Sequence, residues 1–184
     1  MERIRDDKLV AMMRALKVKE WGAGSLLNQV DQTLSLSTDM PTMPTVPTVL
    51  GDSVRTTHRV VPSSWVDYNG HMNDSHYGEV FSKASDVLLH GIGADQDYIA
   101  QGYSYFTVDL QISYLAECLA GEQITVFTSI TLAEGKKLKL SHEMKNAQGD
   151  VCASCSQFLL HVDLKSRKSC PPLAAVAEAL ARLN

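Results

Sequence analysis

The hydrophobic and polar positions of this chain change period twice. Over residues 5–17, Leu9, Met12, Met13 and Leu16 recur at i, i+3, i+4 and i+7, which predicts a short amphipathic helix. Trp21, Gly22, Ala23 and Gly24 end that pattern. Pro41, Pro44 and Pro47 then fall at every third position, a spacing that favours an extended, semi-rigid spacer. The chain therefore divides into a short helical segment, 1–33, a Pro/Thr-rich linker, 34–50, and a main domain, 51–184. In that domain a first short strand runs from Arg55 to Pro62. From Asn73 the period is helical, with Tyr77, Val80, Phe81, Ala84, Val87 and Leu88 on one stripe. Asn73, Asp74 and Ser75 are candidate caps, and Gly91 and Gly93 stop the helix.

Strands follow. Phe106, Val108, Leu110, Ile112 and Tyr114 alternate with polar neighbours, as do Ile124, Val126, Thr128, Ile130 and Leu132. Leu138, Leu140, His142 and Met144 make a third strand, and 151–163 a long fourth one. Pro171 and Pro172 precede a closing helix, 173–183. One short strand, one long helix and then an antiparallel meander predict an α+β domain whose sheet wraps a central helix. The sheet's other face must then be covered by a partner subunit or by the terminal helix.

Composition narrows the function classes. The chain has 184 residues, a net charge of −4 and a pI near 5.8, without the basic stripe of a nucleic-acid binder. No apolar run approaches the ~20 residues that cross a bilayer. The mixed charges after Met1 are unlike a secretory signal, so no membrane role and a cytoplasmic location are expected. Of four cysteines, Cys118, Cys152, Cys155 and Cys170, two form a C-x-x-C inside the fourth strand. Positions three apart on a strand face opposite ways, and no second such pair follows. Free thiols, and neither a metal nor a redox cofactor, are expected.

Residues 65–77 concentrate the chemistry. Asp67, Asn69, His71 and Asn73 crowd a glycine-containing loop that runs into the long helix. Its N-terminus offers unpaired N–H groups and a positive dipole end, which suits a developing oxyanion. A carboxylate just before it can attack or can activate water. The same residue types also serve as ordinary turn and cap residues.

Asp67-x-x-Gly70-His71-Met72-Asn73, followed by Tyr77 and the amphipathic helix, resembles the signature of the 4-hydroxybenzoyl-CoA-thioesterase-like hotdog family, over roughly residues 55–165. Met72 and Asp74 depart from the family's usual Val and Asn. The resemblance implies a hotdog fold, an antiparallel sheet around one long helix, in homodimers whose sheets pair and whose active sites lie at the interface. It implies an acyl-CoA substrate, Asp67 as the catalytic carboxylate, the Asp74 amide as the group polarising the thioester carbonyl, and His71 and Asn73 orienting the loop.

A narrower similarity is to the betainyl-CoA thioesterases of carnitine breakdown. It rests on residues 65–73, 102–108 and 136–138, and on His161, Val162 and Asp163, with Lys139 departing from an expected His. Residues 5–24 resemble the end of an L-carnitine dehydrogenase, to which such domains are fused in some members. That implies a piece, or an internal start, of a two-enzyme polypeptide. A betainyl substrate carries a trimethylammonium group, which aromatic faces bind. Trp65, Tyr68, Tyr77, Tyr103, Tyr105 and Phe106 are the candidates, each also explicable as core packing. Tyr105 and Phe106, adjacent on a strand, cannot share one pocket.

Lys136, Lys137, Arg167 and Lys168 are candidate contacts for CoA phosphates. Glu79 and Asp86 are secondary catalytic candidates on the helix, and His142 and His161 read as packed side chains. The rival functions are a hotdog acyl-CoA dehydratase or hydratase using Asp67 with His71, and a non-catalytic acyl-CoA-binding module.

Overall fold

The computed structural model describes Val49 and residues 51–183. The helix predicted over 5–17 and the proline-spaced linker up to residue 48 lie outside the described residues. The elements are β1 (Ser53–Val60), a 3₁₀ turn (Ser63–Trp65), α1 (Asp74–Gly91), α2 (Gln96–Ala100) and β2 (Tyr103–Tyr114). They continue with β3 (Gln123–Glu134), β4 (Lys137–Lys145), β5 (Val151–Asp163), β6 (Lys168–Ser169) and α3 (Ala174–Ala181). The α+β hotdog architecture holds, since the sheet curls around α1 and buries its apolar stripe.

Strand order is β1-β3-β4-β5-β2, every pairing antiparallel, with β6 added to β5. Only β3 to β5 is therefore a meander. β2 lies at the far edge against β5, and the chain crosses from its end to reach β3. Alternation along a strand reports which face is buried, not which strand is the neighbour, so this crossing has no period-2 signature.

α1 is stopped as its glycines predict. Gly93 takes a φ of 85°, Ala94 N–H donates to the Leu89 carbonyl at 2.9 Å and Gly93 N–H to that of His90 at 3.0 Å. That is a Schellman cap. The buried stripe is Tyr77, Val80, Phe81, Ala84, Ser85, Leu88 and Leu89, so Ser85 and Leu89 take places expected for Val87. Ser85 is tolerated there because it belongs to a buried polar seam that takes one residue from each main strand in spatial order. Thr56 meets Thr128 (2.7 Å), Thr128 meets His142 (2.8 Å), His142 meets Gln157 (3.2 Å), and Gln157 donates to Thr107 (2.7 Å). Ser85 donates from the helix to Gln157. A seam of this kind ties helix and sheet in one register, since a slip would leave buried polar groups unpaired. His142 is fully buried, and desolvation pushes its pKa down to about 4, so it sits in the seam as neutral imidazole.

α3 does not cover the outer sheet face. Its Val176 and Leu180 join Leu88, Leu89, Tyr98, Leu138 and Leu159 on the helix side. It is held there by a clip in which Tyr98 Oη accepts from Leu173 N–H at 3.0 Å and bonds His161 Nε2 at 2.7 Å. His161 Nδ1 bonds the Cys170 carbonyl at 2.9 Å. His142 and His161 are thus packed, as their place in strands predicts.

A β-bulge between Thr107 and Asp109 changes the face presented by β2. Tyr105 packs against His161 on the helix side, whereas Phe106 points away and has the Arg167 guanidinium over its ring at 5.3 Å. Beyond the bulge, Leu110, Ile112 and Tyr114 return to the helix side, so Phe106 does not share their face as unbroken alternation predicts. A second shift, between Met144 and Lys145 of β4, lies opposite Cys152. It lets Cys152 and Cys155 both be buried, where strict alternation predicts opposite faces. Burial raises both free thiols to about 12.

Candidate active site

The loop before α1 is a short hairpin closed by its own backbone. Val66 and Met72 form a bridge, Asp67 N–H donates to the His71 carbonyl at 3.1 Å, and Gly70 N–H donates to that of Asp67 at 3.1 Å. Gly70 has a φ of 88°, the left-handed conformation that a three-residue hairpin loop needs. Two further bonds anchor the hairpin: Met72 N–H to the Cys118 carbonyl, 2.8 Å, and Asn73 N–H to that of Trp65, 2.9 Å.

This geometry fixes the Asp67 carboxylate. Asn69 N–H donates to its Oδ1 at 2.8 Å, and the Asn73 amide donates to its Oδ2 at 3.4 Å. The Asn69 amide, then the Asn73 side chain and the His71 ring, hold the carboxyl below its ordinary pKa against the opposing effect of desolvation. Asp67 is therefore ionised at neutral pH. Asn73 also caps α1, accepting from Ser75 N–H at 3.1 Å. Of the candidate caps, Asn73 takes the role, and one side chain joins the carboxylate to the helix end. Among the described residues nothing accepts a hydrogen bond from the Asp74 amide, the first helical donor.

Beside that helix end is a cavity of about 340 Å³ lined by His71, Met72, Asp74, Tyr77, Tyr114, Leu115, Ala116 and Glu117. Tyr77 and Tyr114 meet edge to face, with centroids 5.1 Å apart at 89°. Tyr77 is buried, and desolvation raises its phenol, so it stays protonated. Asp67 is not a lining residue; its carboxylate is one hydrogen bond from the cap.

Comparison with known proteins decides the family. Residues 61–180 match the thioesterase-like superfamily. This chain belongs to the thioesterase-like superfamily. A Ruegeria pomeroyi protein named L-carnitine dehydrogenase/betainyl-CoA thioesterase is 46% identical over 184 residues, all of this chain and 37% of that protein. The chain thus spans little more than a third of that relative's length. A betainyl-CoA thioesterase from Pseudomonas aeruginosa is 38% identical over 125 residues, 65% of this chain and 79% of its own. A crystal structure of a candidate thioesterase from Pseudomonas putida KT2440 is 34% identical, with a TM-score of 0.62, covering 72% of this chain and 85% of that one.

Within this thioesterase-like domain the residues singled out by sequence fall into two groups. Asp67, His71, Asn73, Asp74 and Tyr77 gather at the N-terminus of α1. Tyr68 stands at the hairpin tip, 97% exposed. Trp65 is adjacent, but its ring is already engaged. The Arg59 guanidinium lies 4.0 Å from its centroid, and His76 stacks on it at 4.5 Å. Trp65 already holds one cation, supplied by the chain itself.

The second group lies at the other end of β2. Tyr103 stacks on His161, and Tyr105 meets that ring at 5.0 Å. Arg167, with a positive φ of 58°, covers Phe106 in the turn before β6. Lys136 donates to Ser169, Lys137 pairs with Glu134, and Lys168 pairs with Asp163 in the β5–β6 ladder. From Tyr103 to Tyr114 is about 36 Å of strand at ~3.3 Å per residue. One chain therefore does not place Tyr103, Tyr105, Phe106 and the basic side chains beside Asp67.

On the helix, Glu79 is tied to Lys83 at 2.6 Å and faces His76 at 3.5 Å, which with its place near the helix start accounts for it. Asp86 projects outward and its surroundings raise its carboxyl by desolvation. Sequence reading missed Tyr114 and Glu117 as cavity residues. Tyr114 was visible only as the last apolar position of a strand, and Glu117 carries no local pattern.

Proposed function

We propose that this chain hydrolyses the thioester of betainyl-CoA. The carrying observation is Asp67: an ionised carboxylate joined by Asn73 to a helix N-terminus with a free first amide, at the edge of a small cavity walled by tyrosines and carboxylates. Asp67 adds to the thioester carbonyl, or takes a proton from the water that adds. The Asp74 amide receives the oxyanion. Collapse of the tetrahedral adduct expels CoA thiolate, which is then protonated. Where water added, the free acid is released directly; where Asp67 added, water then hydrolyses the acyl–Asp67 anhydride, releasing the acid and restoring the Asp67 carboxylate. The names of the Ruegeria and Pseudomonas aeruginosa relatives support the substrate.

The proposed enzyme is a cytoplasmic homodimer. Of the two edge strands, β1 and β2, β2 is the longer, 12 residues, with Leu110 and Tyr114 exposed. Unpaired edges of this kind call for a partner. Antiparallel pairing of β2 with its two-fold copy sets the start of one strand against the end of the other. Phe106, Arg167 and Lys136 of one subunit then approach the Asp67 loop of its mate, where Arg167 and the lysines meet CoA phosphates. Such pairing unites the two residue groups that one chain keeps apart. Residues 1–33 and the linker 34–50 are proposed to lie outside the catalytic domain. The testing experiment is thiol release over a panel of acyl-CoAs that includes betainyl-CoA. Hydrolysis of betainyl-CoA that is lost in Asp67→Asn supports the proposal, and an unmodified protein that releases no CoA refutes it.

A further inference from the structure

A betainyl group places its charged nitrogen two bonds from the carbonyl carbon. Whatever recognises the cation must therefore sit beside the group that binds the oxyanion, and that requirement excludes most of the aromatic candidates. Trp65 is sandwiched with Arg59 and His76. Tyr103 and Tyr105 are packed on His161. The aromatic rings that line the cavity next to the Asp74 amide are Tyr77 and Tyr114. They stand at 89° to one another and form a corner, with Tyr77 as its buried wall and Tyr114 52% exposed.

Charge points to the same place. The positive end of α1 repels a cation, so a cationic acyl group next to the oxyanion amide needs compensating carboxylates. Two line this cavity, Asp74 and Glu117. Asp74 is the first-turn acid of α1 and already offsets the helix dipole. Glu117 lies on the crossing from β2 to β3. Among the described residues its carboxylate makes no ion pair, unlike Glu79, Glu134 and Glu143, which are each paired with a lysine. It lines the same cavity as Tyr114.

We infer that Glu117 and Tyr114 are the specificity-determining residues for a quaternary-ammonium acyl group, with the Tyr77 ring as the back of the subsite. This assignment rests on the thioesterase reading above and deepens it. Glu117 supplies charge, and the tyrosine faces supply the cation–π attraction that a group without N–H donors still accepts. Neither residue touches the reacting atoms.

The test compares kcat/KM for betainyl-CoA and 3,3-dimethylbutyryl-CoA, which has carbon in place of the charged nitrogen and nearly the same volume. The unmodified protein should prefer betainyl-CoA by at least about 30-fold. Glu117→Gln and Tyr114→Leu should each reduce that ratio by roughly 10-fold, and Glu117→Lys by more. A ratio near one in the unmodified protein, or an undiminished ratio in both Glu117→Gln and Tyr114→Leu, overturns the assignment while the thioesterase reading stands. If neither ester releases CoA, it is the hydrolase reading that fails. Calorimetric titration with tetramethylammonium then decides the pocket without turnover. Weaker binding to Glu117→Gln than to the unmodified protein supports the subsite, and equal binding refutes it.

Discussion

Asp67 acquires its chemistry from two amides. The Asn69 backbone and the Asn73 side chain both donate to it, and Asn73 spends its own oxygen on the helix cap. Replacing Asp67 with Asn keeps the shape and removes the proposed attacking oxygen or base. The expected loss in kcat is at least ~10²-fold with the fold intact, measured by thiol release alongside circular dichroism. Asn73→Asp separates the two duties of its side chain. A carboxylate still accepts from Ser75, so the cap survives, but Asp67 loses a donor and gains a like charge. Its pKa must rise, and the acidic limb of the kcat/KM profile should move to higher pH with little change in melting temperature. Trp65 behaves differently. With Arg59 and His76 on its ring, Trp65→Leu should cost stability on the order of 2 kcal/mol in urea titration. The preference for betainyl-CoA over its neutral isostere should persist; a collapse of that preference would return Trp65 to the substrate site.

Elements are aligned by polar contacts as much as by apolar ones. The seam from Thr56 to Thr107 takes one residue from each of the five main strands, and Ser85 attaches α1 to its middle. Its pH response follows from His142. The folded pKa, about 4, lies below the ordinary value of 6.5. Below 6.5 the unfolded chain takes up a proton that the folded one refuses, so the stability due to neutral burial is complete above 6.5 and is lost as pH falls toward 4. Between pH 7 and 5 the loss from this residue is roughly 2 kcal/mol. His142→Gln retains hydrogen-bonding capacity without titrating. Its urea midpoint should therefore change less over that interval than that of the unmodified protein, and parallel curves would show that His142 is not the titrating group.

At the scale of the whole molecule, the β2 edge and the strand length between the two residue groups, about 26 Å from Phe106 to Tyr114 at ~3.3 Å per residue, are both met by the proposed dimer through β2. Light scattering should give at least twice the chain mass at micromolar concentration. Arg167→Ala should raise KM for acyl-CoA several-fold with a smaller effect on kcat, because the proposed phosphate contact would bind the ground state and the transition state alike. Removal of residues 1–48 tests the proposed boundary. Thioesterase activity should stay within a few-fold of that of the full chain, and a collapse in activity or solubility would assign that segment to the catalytic domain.

The sequence alone determined whatever depends on neighbours along the chain. Period 3.6 from Asn73 and the glycines at 91 and 93 marked α1 and its end, and period 2 marked the long strands. Asp67 to Asn73 stood out because their cap and turn chemistry is local, closed by bonds spanning two to six residues. Tertiary structure decided what depends on pairing across the chain. The place of β2 at the sheet edge and the bulge that separates Phe106 from Ile112 are set by a partner strand more than 30 residues away, and the parity shift that buries both Cys152 and Cys155 is set by how β5 pairs with β4. It also decided which aromatic rings are available. Arg59 lies over the Trp65 ring, and the end of β2 brings Tyr114 edge to face with Tyr77, contacts from which the proposed subsite is argued. A side chain's type is written in the sequence, but whether its face is free depends on what the fold lays against it.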